Sequence, residues 1–224
     1  MRLAVFGSTG LAGAALTRLA TEQGHQVRAL VRDPARAVTG VDTVRGDARD
    51  ADAVARTISG ADAVVSTLGG FRGPDSIAAG TRDILTAVRG TGPRRLVVLQ
   101  GFHIGFPGDP QNPGKRLVET FLALRCRPLL TYGAELGELL RATADVPWTL
   151  VRIPRMVAGG VSGRAITGRF ALGPWSSVRV GDVAAVLLRL AQDESSIHEA
   201  PMLYTPRTKR YDTRAAATAI RPHS

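Results

Sequence analysis

The sequence predicts an α/β fold: a doubly wound parallel sheet in a single domain, with a small C-terminal lobe. Short apolar runs alternate with helical stretches along the chain, which is typical of βαβ units. Several of these runs are apolar at every position, as expected for strands that helices cover on both faces. The length of 224 residues suits one such domain. Because crossovers between parallel strands are right-handed, successive units place helices on both faces of one sheet.

The predicted elements alternate in regular order. Strands are expected at 3–6, 26–32, 43–45, 63–66, 96–99, 149–152 and 202–204, and helices near 11–22, 50–58, 76–89, 115–126, 132–143 and 182–191. Asp50 and Asp182 are predicted as N-caps of two of these helices. The segment 154–180 is rich in Gly and Pro and is interpreted as a substrate-side lobe. Residues 1–205 then form the domain, and 206–224 a basic C-terminal tail.

Composition narrows the class of protein. The single cysteine, Cys126, excludes an internal disulfide and fits a reducing compartment. No stretch approaches the roughly 20 apolar residues of a membrane span, and the N-terminal residues do not resemble a signal peptide. We therefore expect a cytoplasmic protein with no membrane partner.

The net charge of +10 is a feature shared with many nucleic-acid-binding proteins. The basic residues are, however, spread from Arg2 to Arg221 without a dense run or interleaved aromatic residues, which argues against a nucleic-acid partner. The four histidines are far apart in the sequence and lack paired ligands, so no metal site is predicted. Small anionic molecules are the expected partners of this charge.

A glycine-rich turn connects the first strand to the first helix, as in dinucleotide-binding domains of the Rossmann type. Gly7 permits the tight turn, Gly10 lets the backbone approach a pyrophosphate, and Gly13 lets helix and strand pack closely. The helix N-terminus offers free N–H groups and a partial positive charge to the phosphates. The predicted pyrophosphate-binding residues are Gly7, Ser8, Thr9, Gly10, Leu11, Ala12 and Gly13.

The end of the second strand indicates which dinucleotide binds. An NAD site usually has a carboxylate here, whereas an NADP site has an arginine. Arg32 stands at this position, and Arg36 is close enough to join it, with a solvated helix residue as the alternative for Arg36. Asp33 is the alternative carboxylate, but an Asp directly before Pro34 suits a helix N-cap. NADP(H) is therefore the predicted cofactor.

Several motifs together resemble the atypical short-chain dehydrogenase/reductases, and within them the branch of NmrA-like proteins and biliverdin reductase B or flavin reductase-like enzymes. They are the glycine turn and the segments LVRDP (30–34), RGDARD (45–50), RLVVL (95–99), PWTLVRIP (147–154) and VGDVA (180–184). The resemblance implies that Asp47 contacts the adenine amino group, with a turn-forming role as the alternative. It further implies cofactor contacts from Leu68, Gly69, Gly70, Ile153 and Pro154.

The chain departs from this family at the usual catalytic acid. Classical members carry Tyr-x-x-x-Lys, in which the lysine lowers the pKa of the tyrosine, but Tyr132 is followed four residues later by Leu136. Tyr132, at a predicted helix start, is a candidate to orient a substrate carbonyl, with packing as the alternative. His103 is a candidate proton donor, with an exposed loop histidine as the alternative. Gln100 is a candidate to hydrogen-bond the nicotinamide ribose.

These observations predict an NADPH-dependent oxidoreductase that passes a hydride to a flavin, a quinone or another conjugated small-molecule acceptor. Such an acceptor spreads its negative charge, so it does not need the strong, placed acid that an isolated ketone requires. The alternative is a noncatalytic NADP(H)-sensing regulatory protein of the NmrA type. An epimerase-type activity is disfavoured by the absent Tyr-Lys pair. Both a monomer and a homodimer are compatible with the sequence.

Overall fold

The computed structural model describes residues 1–69, 75–91, 93, 95–110 and 113–206. The strands are β1 (Arg2–Phe6), β2 (Gln26–Val31), β3 (Asp42–Arg45), β4 (Ala63–Ser66), β5 (Leu96–Gly101), β6 (Trp148–Ile153), β7 (Arg155–Val157), β8 (Ile166–Gly168), β9 (Ser177–Arg179) and β10 (Met202–Tyr204). The helices are α1 (Leu11–Glu22), α2 (Ala51–Ile58), α3 (Asp75–Thr91), α4 (Pro113–Arg125), α5 (Arg127–Arg141) and α6 (Val180–Leu190), and Pro34–Arg36 forms one 3₁₀ turn.

Within the described residues, the central sheet has eight strands in the order β3-β2-β1-β4-β5-β6-β10-β8. All neighbouring strands in it are parallel except β8, which pairs antiparallel with β10. The predicted doubly wound parallel sheet is confirmed. The order of the strands reverses between β1 and β4, and open sheets of this kind bind ligands at the carboxyl ends of the strands on either side of such a reversal.

Alternate residues of the buried strands face two separate cores. In β1, Leu3 and Val5 pack against α1 and α6, whereas Ala4 and Phe6 face the side of the sheet covered by α2, α3 and α5. Because helices cover both faces, neither side of the strand carries the polar residues of a solvated surface. This explains why the strands are nearly continuous apolar runs in the sequence.

Two predictions about helix starts are wrong. Helix α5 begins at Arg127, with Pro128 in its first turn, so Tyr132 lies within the helix and not at its start. Helix α6 begins at Val180, and Asp182 is therefore not its N-cap. The buried carboxylate of Asp182 instead accepts hydrogen bonds from the Ser162 backbone and from the Thr205 hydroxyl, both at 2.7 Å. Asp50 does cap α2, as predicted.

The segment 154–180 contains three short strands that the sequence did not predict. Strand β8 joins the edge of the central sheet, and β7 pairs with β9 outside it. With three residues each, these strands are too short to show a periodic pattern.

Two predictions concern residues outside the described part of the chain: the tail beyond position 206 and the cofactor contact Gly70. Of the helices that the structure describes, none has the length and apolar character needed to cross a membrane.

Candidate functional site

A cavity of about 380 Å³ opens at the carboxyl edge of the sheet, where the strand order reverses. Its lining includes the predicted site residues Gly10, Leu11, Ala12, Leu68, Gly69, Gln100, His103, Ile153 and Pro154. It also includes Thr67, Leu99, Gly101, Phe102, Leu122, Leu129 and Met156, which sequence reasoning missed. The segments that follow β1, β4, β5 and β6 therefore meet residues of three helices, α1, α4 and α5, at one cleft.

The glycine turn borders this cleft, and its three glycines meet different constraints. Gly7 has a φ of +79°, and a Cβ there would lie 2.8 Å from the carbonyl oxygen of Thr67. A Cβ on Gly13 would overlap the carbonyl oxygen of Gly7, so close packing of helix and strand requires glycine at that position. A Cβ on Gly10 would lie 3.4 Å from its nearest neighbour, the Gly7 carbonyl oxygen. The described part of the chain thus leaves room at position 10, beside the cleft.

The N-terminus of α1 is free to bind an anion. Its N-cap, Gly10, has no side chain to accept the first-turn N–H groups, and the first turn contains no acidic residue. Leu11 is 71% exposed beside the cleft. Ser8 is buried and its hydroxyl has no hydrogen-bond partner among the described residues, so this residue offers a ligand only its backbone. Uncapped donors and an unneutralised helix dipole fit a pyrophosphate.

The end of β2 is positively charged. Arg32 and Arg36 are both exposed, and no carboxylate of the described residues forms an ion pair with Arg32. The Asp33 carboxylate accepts a hydrogen bond from the backbone N–H of Ala35 at 3.1 Å and caps the 3₁₀ turn, as predicted.

The Asp47 carboxylate accepts a hydrogen bond from the Nε of Arg49 at 2.9 Å. This hydrogen bond, with a smaller contribution from Arg32, holds the pKa of the Asp47 carboxyl below its usual range.

Gln100 links two strand ends beneath the cleft. Its side-chain amide donates a hydrogen bond to the Leu68 carbonyl at 2.7 Å, and its side chain is 7% exposed. A Cβ on Gly69, which has a φ of +135°, would lie 3.0 Å from the Nε2 of Gln100. Gln100 therefore fixes the 68–69 segment, in addition to any contact it makes with a ligand.

His103 lies between the cleft and a second groove toward α4 and α5. Its Nε2 is buried and has no hydrogen-bond partner among the described residues. Burial and, to a smaller extent, the charge of Lys115 lower the pKa of the imidazole to about 4, and a hydrogen bond with the Leu129 backbone opposes this shift. At neutral pH the ring is therefore uncharged, and its imidazolium form is not available as a proton donor.

Tyr132 is half-buried and packs against the apolar core between the sheet and α5. The structure does not place it among the described residues that line the cleft. Within the described ranges, no group of three or more His, Cys, Asp and Glu side chains is arranged to hold a metal ion.

The buried imidazole makes stability depend on pH. In the unfolded chain His103 binds a proton below its ordinary pKa of 6.5, whereas in the folded chain it binds one only below about pH 4. We expect the free energy of unfolding to decrease by up to roughly 3 kcal/mol as the pH is lowered from 6.5 to about 4. Above pH 6.5 we expect His103 to contribute no pH dependence. Urea unfolding of the wild type and of His103→Gln between these pH values measures the difference. Identical pH dependence in both proteins would contradict the assignment.

Comparison with known proteins identifies the family of this chain. The profile of an NAD(P)H-binding family matches residues 7–194, from the glycine turn to just beyond α6. The chain belongs to this family. Among curated relatives, 3-diazoavenalumate denitrifying reductase of Streptomyces sp is 36% identical over 127 residues, which cover 50% of this chain and 41% of that protein. The match thus spans less than half the length of that relative.

Solved structures share the fold over nearly the whole chain. ChuY, an anaerobilin reductase of Escherichia coli O157:H7, superposes with a TM-score of 0.75 at 22% identity, covering 93% of this chain and 99% of that one. A candidate NADH-flavin reductase of Streptococcus pneumoniae gives 0.70 at 24% identity, covering 92% and 100%. The predicted resemblance is confirmed in two respects: the chain belongs to an NAD(P)H-binding family, and it shares its fold with solved proteins named as reductases.

Proposed function

We propose that this protein is an NADPH-dependent reductase of a flavin, a quinone or another conjugated acceptor, acting in the cytoplasm. The observation that carries the proposal is the chemistry of the cleft. Beside the glycine turn its walls are mostly apolar, and its described lining holds no side chain that is charged at neutral pH, since His103 is neutral there. The apolar walls include Phe102, Leu122, Leu129 and Met156.

Such a cleft suits an acceptor that needs no strong acid. Reduction of an isolated ketone creates a localised alkoxide, which requires a placed proton donor. A flavin or quinone spreads the charge over its rings and takes a proton from water. Tyr132 packs against the core, and His103 stays neutral, so neither supplies that donor. The names of similar proteins, an anaerobilin reductase, an NADH-flavin reductase and a 3-diazoavenalumate denitrifying reductase, support a reductase function.

The cleft and the arginine at the end of β2 would have separate tasks in this reaction. The N-terminus of α1 would bind the pyrophosphate, and Arg32 the 2′-phosphate. Gln100, through its hydrogen bond to Leu68, would keep the strand ends in place beneath the cofactor. When bound, NADPH supplies the hydride. Phe102 and Met156 would pack on flat rings and exclude water from the space between them.

A panel of acceptors tests the proposal. Purified protein is mixed with NADPH and with flavin mononucleotide, riboflavin, menadione or cyclohexanone, and oxidation is followed by the absorbance of NADPH. We expect turnover with a flavin or the quinone and none with the isolated ketone. Tyr132→Phe serves as a control that should lose no more than about tenfold in rate, well short of the loss on removing a general acid. Tight NADPH binding without turnover on any acceptor would favour the sensor instead.

The preference for NADPH over NADH should depend on Arg32. Replacing Arg32 by alanine removes a hydrogen bond to a charged group, so NADPH binding should weaken by roughly 1.5–3 kcal/mol while NADH binding stays nearly unchanged. Calorimetric titration with both cofactors measures this. Arg18→Ala, on the exposed face of α1, is the matched control and should leave both affinities unchanged. Equal losses for the two cofactors would remove the 2′-phosphate role.

A further inference from the structure

Helix α4 presents an apolar ridge to solvent. The ridge consists of Leu117, Phe121 and Leu124, which are 62%, 59% and 80% exposed. Spacings of four and three residues place these side chains on one face of the helix. The opposite face carries Leu122, which is 6% exposed and lines the cleft. A helix that is apolar on both its inner and outer faces is normally covered on both.

The exposed charged residues of α4 and of the start of α5 are basic. Arg116, Arg125 and Arg127 are exposed on α4 and at the start of α5. The single acidic residue of α4, Glu119, is turned away toward the groove between α4 and α5, where it forms an ion pair with Lys115 at 3.6 Å. An apolar face bordered by arginines is the pattern of a helix that lies in the plane of an anionic bilayer surface.

We propose that α4 docks this protein on an anionic membrane surface, with the ridge inserted between lipids and the three arginines at the phosphate headgroups. The binding is peripheral and is compatible with the absence of a spanning helix among the described residues. Docking leaves the cleft free, because Leu122 faces the cleft while the ridge faces away from it. A second copy fits this face less well, since an isologous contact would bring the same arginines of two chains of charge +10 together.

Vesicle sedimentation of the full chain tests the proposal without reference to turnover. One set of vesicles is phosphatidylcholine alone, and the other contains about one third phosphatidylglycerol to supply negative surface charge. We expect the partition coefficient to be at least about tenfold larger on the anionic vesicles, as two or three arginines near such a surface imply. Phe121→Ser/Leu124→Ser should remove the binding, and Arg116→Gln/Arg125→Gln should remove the preference for anionic lipid.

Matched controls come from the opposite face of the sheet. Arg18→Gln/Arg189→Gln removes two exposed arginines from α1 and α6 and should bind like the wild type. Far-UV circular dichroism checks that each variant is folded. We expect that it is, because the substituted residues are exposed. Equal binding to both kinds of vesicle, no binding to either, or binding that survives loss of the ridge would overturn the proposal. A dimer in light scattering that Phe121→Ser/Leu124→Ser dissociates would also overturn it, by identifying a second copy as the occupant.

Discussion

Replacing Gly10 by valine should abolish NADPH binding while the protein remains folded. The backbone at Gly10 has a φ of −83°, which any residue adopts, and a Cβ there meets, among the described residues, only the Gly7 carbonyl oxygen, at 3.4 Å. A branched side chain would therefore fit the protein but occupy the space in front of the first N–H groups of α1. We expect the affinity to fall more than about 100-fold, or roughly 3 kcal/mol. Calorimetric titration measures the loss, and far-UV circular dichroism measures the fold.

Two other glycines separate binding from stability. Gly13→Ala places a Cβ against the Gly7 carbonyl oxygen, so it should lower the melting temperature whether or not a dinucleotide binds. A Cβ on Gly90, near the end of α3, meets no atom of the described residues within 4 Å, so Gly90→Val should change neither property. NADPH binding by Gly10→Val at wild-type affinity would show that the turn serves only to pack helix against strand.

The strands of the sheet were predictable because each one is marked by its own run of apolar residues in the sequence. Runs such as 63–66 and 96–99 are buried on both faces, and their apolar character marks them without knowledge of their neighbours. The strands β7, β8 and β9 have no such signal, since they are defined by the register of pairing with a partner far along the chain. The prediction that Asp182 is an N-cap is wrong for a related reason: its hydrogen-bond partners, Ser162 and Thr205, are about twenty residues away on either side in the sequence.

The candidate site was predictable where it follows strand ends. Gly10, Gln100 and Ile153 lie at the carboxyl edge because their strands are parallel, and position along the chain is enough to find them. Phe102, Leu122 and Met156 reach the same cleft only through packing of the loop after β5, of α4 and of β7. The environment of His103 was equally hidden, because burial sets the pKa of its ring. For Tyr132 a signal did exist, since the Pro128 that marks the first turn of α5 is visible in the sequence.

Removing the carboxylate of Asp109 should cost the fold about 3–5 kcal/mol, because it leaves a buried guanidinium without a counter-charge. Arg152 is 0% exposed, and its Nη1 and Nη2 lie 2.5 and 2.7 Å from the two oxygens of Asp109. The same guanidinium donates to the carbonyls of Ile104 and Ala200. It thereby fixes the loop after β5, whose first residues line the cleft. We expect Asp109→Ala to lower both the urea midpoint and the affinity for NADPH.

Asp145→Ala is the matched control, because Asp145 also binds an arginine with both oxygens. Arg89 donates to it at 2.6 and 3.0 Å, but the two side chains are 44% and 57% exposed, so the loss should stay below about 1 kcal/mol. Burial opposes ionisation of Asp109, yet hydrogen bonds from Arg152 and from the Phe106 N–H hold its pKa below the ordinary value. The charged carboxylate therefore stabilises the fold at neutral pH, and this contribution disappears as the pH falls through the lowered pKa. Equal losses for Asp109→Ala and Asp145→Ala would mean that the backbone carbonyls alone satisfy the buried Arg152.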